Sequence, residues 1–158
     1  MKLSIFTDGG ARGNPGPAGV GVVIKNEKGE IIHQFGKCIG ETTNNVAEYT
    51  AVVEALRWIT CHPERSEGSR DSSATPQNDI TFFLDSSLVV NQLNGLFKIK
   101  DNKLRELAFS VHQLETEIKI FPTYIHIPRE KNWQADKLVN EALDYIHVPS
   151  ADTKAQKE

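Results

Sequence analysis

Lys2-Leu3-Ser4-Ile5-Phe6-Thr7-Asp8-Gly9-Gly10-Ala11-Arg12-Gly13-Asn14-Pro15-Gly16-Pro17 is the stretch that decides how this chain is read. A short apolar strand over residues 2–7 delivers Asp8 into a turn rich in glycine and proline. A carboxylate at the end of a strand is held by the sheet, and glycines after it let the backbone approach a ligand closely. Turns of this composition also simply join strands, so Asp8 alone does not make a site. Working outward, three more acidic residues stand in similar contexts: Glu48 in Thr43-Asn44-Asn45-Val46-Ala47-Glu48-Tyr49, Asp85 in Phe82-Phe83-Leu84-Asp85-Ser86-Ser87, and Asp136 in Asn132-Trp133-Gln134-Ala135-Asp136. Two of the four follow apolar strands. The other two are read in the first turns of helices, where the helix N-terminus favours negative charge.

Pattern supplies the elements between these residues. Strands are expected at about 2–8, 19–26 and 30–39, with Lys25–Gly29 turning between the last two, so the chain opens with an antiparallel meander. Val46, Tyr49, Val52, Val53, Leu56 and Ile59 recur at helical spacing and predict a helix over 45–60, with Asn44 or Asn45 as its N-cap. A fourth strand, Ile80–Leu84, ends at Asp85, and a short helix starts at Ser86 or Ser87. Leu104, Leu107, Ala108, Val111 and Leu114 make the apolar stripe of a helix over 102–117. A fifth strand is expected at 121–127 and a final helix from near Asn132 to about Tyr145. This order predicts an α/β fold, a mixed five-stranded sheet flanked by helices. His62–Asp79 carries four serines, two prolines and no large apolar residue, so it reads as a disordered insertion at 62–79. The polar tail, 148–158, reads as flexible. Residues 1–147 are then one domain.

Composition sets the outer limits. The chain has 158 residues, 39% hydrophobic and 25% charged, as expected of one soluble domain. No apolar run approaches the roughly 18 residues of a membrane span, and no signal-peptide pattern is seen, so a cytoplasmic protein is expected. Cys38 and Cys61 are the only cysteines and lack metal-ligand spacing. A net charge of −3 is not that of a typical nucleic-acid binder. Four clustered carboxylates contribute to it, and two divalent cations would add +4 and bring the formal total to +1.

The quoted segments carry a resemblance. In order and context they match the Asp-Glu-Asp-Asp pattern of type 1 ribonuclease H, which cleaves the RNA strand of RNA–DNA hybrids, and the similarity runs from about Lys2 to Asp144. It implies a ribonuclease H-like sheet, antiparallel meander first and parallel strands after. It implies two Mg²⁺ ions, with Mn²⁺ able to substitute, held by Asp8, Glu48, Asp85 and Asp136. Asp8 would bridge both ions, Glu48 and Asp85 would join it at the leaving-group metal, and Asp136 would complete the water-activating site. Hard cations take such oxygen ligands, and two ions about 3.5–4 Å apart supply what phosphodiester hydrolysis needs. Four carboxylates converging without metal would repel one another, which argues against a purely structural cluster.

The resemblance also implies substrate contacts to an RNA–DNA hybrid. The backbone at Ala11 and Gly13 would lie beside ribose hydroxyls, Asn14 and Asn44 would read the groove, and Thr43 and Asn45 would hold a DNA-strand phosphate. Two departures stand out. The basic, Trp-rich protrusion of many members is reduced to Asn91–Asn102 with Lys98, Lys100 and Phe97, and no hybrid-binding domain is read, so the chain resembles a compact form. The loop before Asp136 is short. Arg129, in the loop, is preferred over His126, on the strand, as the residue assisting product release. A monomer that meets no membrane is expected. The alternatives are a nuclease of the same fold acting on double-stranded RNA, or a non-catalytic nucleic-acid-binding module. The four carboxylates disfavour the latter, because phosphate binding without metal would favour basic or neutral groups there.

Overall fold

The computed structural model describes residues 2–61 and 79–147. The insertion and tail expected at 62–79 and 148–158 lie outside them, except for Asp79, which begins a strand. Strands β1 (Lys2–Ala11), β2 (Gly16–Lys25) and β3 (Ile31–Thr42) form the antiparallel meander, and helix α1 (Asn44–Cys61) follows. Strand β4 (Asp79–Leu84) then adds parallel to β1. After α2 (Ser87–Leu93) and α3 (Asn102–Ile118), β5 (Thr123–His126) adds parallel to β4. A 3₁₀ turn (Arg129–Asn132) leads into α4 (Trp133–His147), and the sheet order is β3-β2-β1-β4-β5. Among the described residues no helix is long and apolar enough to cross a membrane.

Alternation along the strands divides the molecule into layers. Leu3 and Ile5 of β1, Val22 and Ile24 of β2, and Phe82 and Leu84 of β4 are buried with Tyr49, Val52, Leu56 and Ile59 of α1 and with Val111 of α3. Burying each such large side chain contributes about 1.5–3 kcal/mol, so this layer is the main source of stability. On the opposite face α4 lies over β2, β3 and β1. It comes that close because two adjacent strands carry glycine at the points of nearest approach. A Cβ on Gly21 would stand 2.3 Å from the Ala135 oxygen, and one on Gly36 would stand 2.6 Å from the Leu138 oxygen. Gly21 is the cross-strand partner of both Asp8 and Gly36. The row Asp8–Gly21–Gly36 therefore seats the helix and leaves a carboxylate at its edge.

Several expectations need correction. Asp8 does not end β1: Gly9, Gly10 and Ala11 continue the ladder to Val20, Gly19 and Ala18 of β2, because glycine and alanine fit a pleated pair without crowding. What stops is the pairing on the other side, where β1 and β4 part after Thr7 and Leu84. Asp8 and Asp85 thus stand side by side where the parallel strands separate, the usual ligand-binding end of such a sheet. Helix α1 is capped by Thr43, whose Oγ1 accepts from the Val46 N–H at 3.3 Å, rather than by Asn44 or Asn45. It starts at Asn44, which places Glu48 beyond the first turn; only Asp136 has the helix-start position. The fifth strand is shorter than expected, and the 3₁₀ turn occupies the start foreseen for the last helix.

Candidate active site

The site forms where β1 and β4 separate, between the first turns of α1 and of α4. Gly9 brings α1 in: a Cβ there would lie 2.2 Å from the Ala47 oxygen and 2.6 Å from the Glu48 nitrogen. The close approach expected of the glycines after Asp8 is thus made to the chain's own helix. It lets the Gly9 N–H donate to the Glu48 carboxylate. Asp8, Glu48 and Asp85 each present an oxygen, and these three atoms lie within 4.8 Å of one another. Asp8 is 3% exposed and Glu48 6%.

Such crowding has an electrostatic cost. Burial first, then the like charges of Asp85 and Asp136, push the Asp8 carboxyl from 3.8 up to about 8. A hydrogen bond to Asp136, which only the protonated acid can donate, adds to the rise, and the Arg129 guanidinium opposes it. Glu48 is raised well above its ordinary value by burial, then by Asp8 and Asp85; Arg129 and the Gly9 N–H work the other way. Glu48 Oε1 and Asp85 Oδ1 are buried without any hydrogen-bond partner. Buried acceptors are ordinarily satisfied. Three clustered carboxylates, two of which also keep an unpartnered oxygen, fit a divalent cation such as Mg²⁺.

Asp136 faces this trio across a cleft of about 390 Å³, lined in part by Asp8, Glu48, Asp85, Arg129 and Asp136. It is held by its own helix and the preceding turn. Asn140 Nδ2 donates to Asp136 Oδ2 at 3.3 Å, and Arg129 Nη1 lies 3.8 Å from Oδ1. Arg129 therefore reaches the cleft, whereas His126 is exposed on β5 and does not line it. Arg12, at the tip of the β1–β2 hairpin, spans to α4 through Asp144 Oδ1 at 2.8 Å and Asn140 Oδ1 at 3.2 Å.

The other residues singled out in the sequence form a joint beside the cleft. The Ala11 N–H donates to Asn44 Oδ1 at 2.8 Å, and the Asn44 N–H donates to Asn14 Oδ1 at 2.9 Å. Asn14 thus satisfies a first-turn N–H of α1 from a distant loop. Ala11 and Asn44 line the cleft, but Gly13, Asn14, Thr43 and Asn45 do not. Gly13 has φ +101°, a backbone that favours glycine, so it shapes the hairpin tip. Asn140 and Asn132 were missed. Asn132, near a helix start, reads as a cap, and Asn140 reads as a polar residue in the middle of a helix; only the folded contacts reveal what else they touch.

The RNase H family model matches residues 1–144. Ribonuclease HI of Halobacterium salinarum is 38% identical over 143 residues, 90% of this chain and 65% of that protein. A ribonuclease H of Clostridium botulinum is 31% identical over 162 residues, 93% of this chain and 99% of that protein. The structure of LC11-RNase H1 in complex with RNA/DNA hybrid superimposes with a TM-score of 0.81 at 42% identity, covering 91% of this chain and 98% of that one. The chain spans only about a third, 36%, of the first mycobacterial relatives it matches at 34% identity. Match over nearly the whole length, the same sheet, and carboxylates gathered where β1 and β4 part agree with one another: this chain belongs to the RNase H family.

Proposed function

We propose that this chain is a metal-dependent endoribonuclease that hydrolyses the RNA strand of RNA–DNA hybrids. The observation that carries the reading is the trio of buried Asp8, buried Glu48 and half-buried Asp85, with an unpartnered oxygen on each of the last two. Residues 1–147 act as the catalytic domain, with 62–78 as an insertion between α1 and β4. Asp8, Glu48 and Asp85 hold the metal and Asp136 completes the site from across the cleft. Mg²⁺ is the expected ion, Mn²⁺ can substitute, and two ions serve one site. Bound there, divalent ions lower the pKa of a water and stabilise the charge gathering on the phosphate. The protein supplies the rest. Glu48, fixed by the Gly9 N–H, accepts from the 2′-hydroxyl beside the cut. The backbone at Ala11 and Gly13, with Asn14 and Asn44, follows ribose hydroxyls and groove edges by shape rather than by sequence. Thr43 and Asn45 receive a DNA-strand phosphate. Arg129 offers a mobile positive charge at the cleft mouth and draws the cleaved phosphate away. The enzyme works as a monomer in the cytoplasm. Support comes from the hybrid-bound relative at 42% identity.

The test is incubation with labelled RNA–DNA hybrid, duplex RNA, single-stranded RNA and duplex DNA, each with Mg²⁺, Mn²⁺ or EDTA. Cleavage of the RNA strand of the hybrid, lost in EDTA, is expected. Preference for duplex RNA would reassign the substrate, and binding of hybrid without cleavage in any metal would make the chain a binding module.

A further inference from the structure

Asn132 has no part in the roles above, yet at 1% exposed it is more buried than Asp8 or Glu48. It ends the 3₁₀ turn that precedes α4. Its Nδ2 donates to two acceptors, the Thr7 backbone oxygen of β1 at 2.9 Å and Oδ2 of Asp85, just past the end of β4, at 3.2 Å. Chemistry fixes that orientation. The amide carries both protons on nitrogen, so the opposite rotamer would set an oxygen against a carbonyl and a carboxylate. One side chain thus ties together the residue before Asp8, the carboxylate of Asp85 and the turn leading to Asp136. With Oδ2 engaged, Asp85 is left with Oδ1, which is buried and has no partner.

We infer that Asn132 is a positioning residue for the metal centre: by holding Asp85 Oδ2 it selects Oδ1 as the ligand atom and fixes the carboxylate's rotation. The inference rests on the reading of Asp85 as a metal ligand proposed above. Groups that hydrogen-bond metal-ligating side chains are typically worth 10–100-fold in metal affinity. A residue that only joined the turn to the sheet would lower stability equally with and without metal.

The test titrates Mg²⁺ into the full chain without substrate, following Tm and calorimetric heat, for wild type, Asn132→Ala and Asp85→Asn. Hybrid cleavage is then measured against Mg²⁺ concentration. Asn132→Ala is expected to need about tenfold more Mg²⁺ for half its rise in Tm, with KM for hybrid unchanged and kcat largely restored at saturating Mg²⁺. Asp85→Asn is expected to lose the Mg²⁺-dependent rise. An unchanged midpoint in Asn132→Ala beside that loss overturns the positioning role. An unchanged midpoint in Asp85→Asn, whatever Asn132→Ala does, overturns the metal reading on which the role depends. If Asn132→Ala does not fold, the wild-type protein carries the test through the two side-chain amide protons of Asn132, read by nitrogen-edited NMR. The proton facing Asp85 is expected to shift along the Mg²⁺ titration with the midpoint of the Tm curve, while its twin on the Thr7 carbonyl stays. Two stationary protons overturn the inference.

Discussion

Asp8 shows what a single residue gives up for the site. Its carboxyl is raised from 3.8 to about 8 by burial and by its acidic neighbours, so without metal the folded chain holds a proton that the unfolded chain has released. Between about pH 4 and pH 8 the native state binds more protons, and stability falls as pH rises through that window. The group's contribution is whole below the unfolded value and is lost as pH passes the folded one. Asp8→Asn removes this linkage. In EDTA its Tm is expected to match wild type near pH 4 and to exceed it increasingly toward pH 8, by roughly 2–4 °C for each kcal/mol relieved. The same variant is expected to abolish hybrid cleavage, since an amide keeps the shape and loses the charge that holds metal. A Tm difference that does not grow with pH would contradict the shift, and near-wild-type cleavage in Mg²⁺ would contradict the role. Arg129 allows a kinetic prediction. If it draws product phosphate from the cleft, Arg129→Ala lowers steady-state turnover more than single-turnover cleavage, because release limits many enzymes, and His126→Ala does less. The reverse ranking would move the role to His126. The contexts of the four carboxylates were legible only in part: Asp85 follows a strand and Asp136 starts a helix as the pattern indicates, whereas Asp8 lies inside β1 and Glu48 beyond the first turn of α1. Asn132 was not legible, since its meaning depends on which strands converge above it.

At the scale of elements, the meander, the helices and their order followed from period-2 and helical patterns alone. What those patterns could not show is how α4 is brought against the sheet. Gly21 and Gly36 read as ordinary small residues in apolar strands, yet a side chain at either would displace the helix. For the same reason the true end of β1 was hidden: glycine after Asp8 reads as a turn, although here it continues a ladder. Two glycine substitutions separate seat from cleft. Gly21→Ala puts a methyl 2.3 Å from the Ala135 oxygen, overpacking that costs about 1–3 kcal/mol. It shifts the helix that carries Asp136, so both Tm and kcat are expected to fall. Gly10→Ala meets nothing nearer than 3.9 Å, at Asn44 Oδ1 and Val139 Cγ1, so its Tm should stay near that of wild type. Because Gly10 lines the cleft, its methyl is expected to raise KM for the hybrid. Chemical denaturation and steady-state kinetics on both variants check the contrast. Equal Tm losses would mean that the glycines are not a seat for α4.

The whole molecule poses an electrostatic problem that the proposed metal would resolve. With a formal charge of −3 the protein offers a polyanion no long-range attraction, and the cleft adds local repulsion because its carboxylates face the point a phosphate must reach. The cations at the cleft do not offset this. Arg12 is engaged by Asp144 at 2.8 Å, and Arg129 leans toward Asp136 at 3.8 Å. If the two divalent ions proposed above bind, the formal charge rises from −3 to +1, and the change falls at the cleft, where it would act on a bound phosphate within the roughly 10 Å over which charges act at 0.1 M salt. Hybrid binding should therefore depend on metal even before any bond is cut. Measured by fluorescence anisotropy with a hybrid carrying nonhydrolysable linkages, affinity in Mg²⁺ is expected to exceed that in EDTA by about tenfold or more at low salt, a difference of roughly 1.4 kcal/mol. Raising monovalent salt should narrow the gap by screening the carboxylates from the phosphates. In Asp85→Asn, which lacks one ligand and one repelling charge, EDTA binding should tighten while the response to Mg²⁺ shrinks. Equal affinity in Mg²⁺ and EDTA would mean that the hybrid is held by surfaces remote from the carboxylates, and the cleft would then serve the chemistry but not recognition.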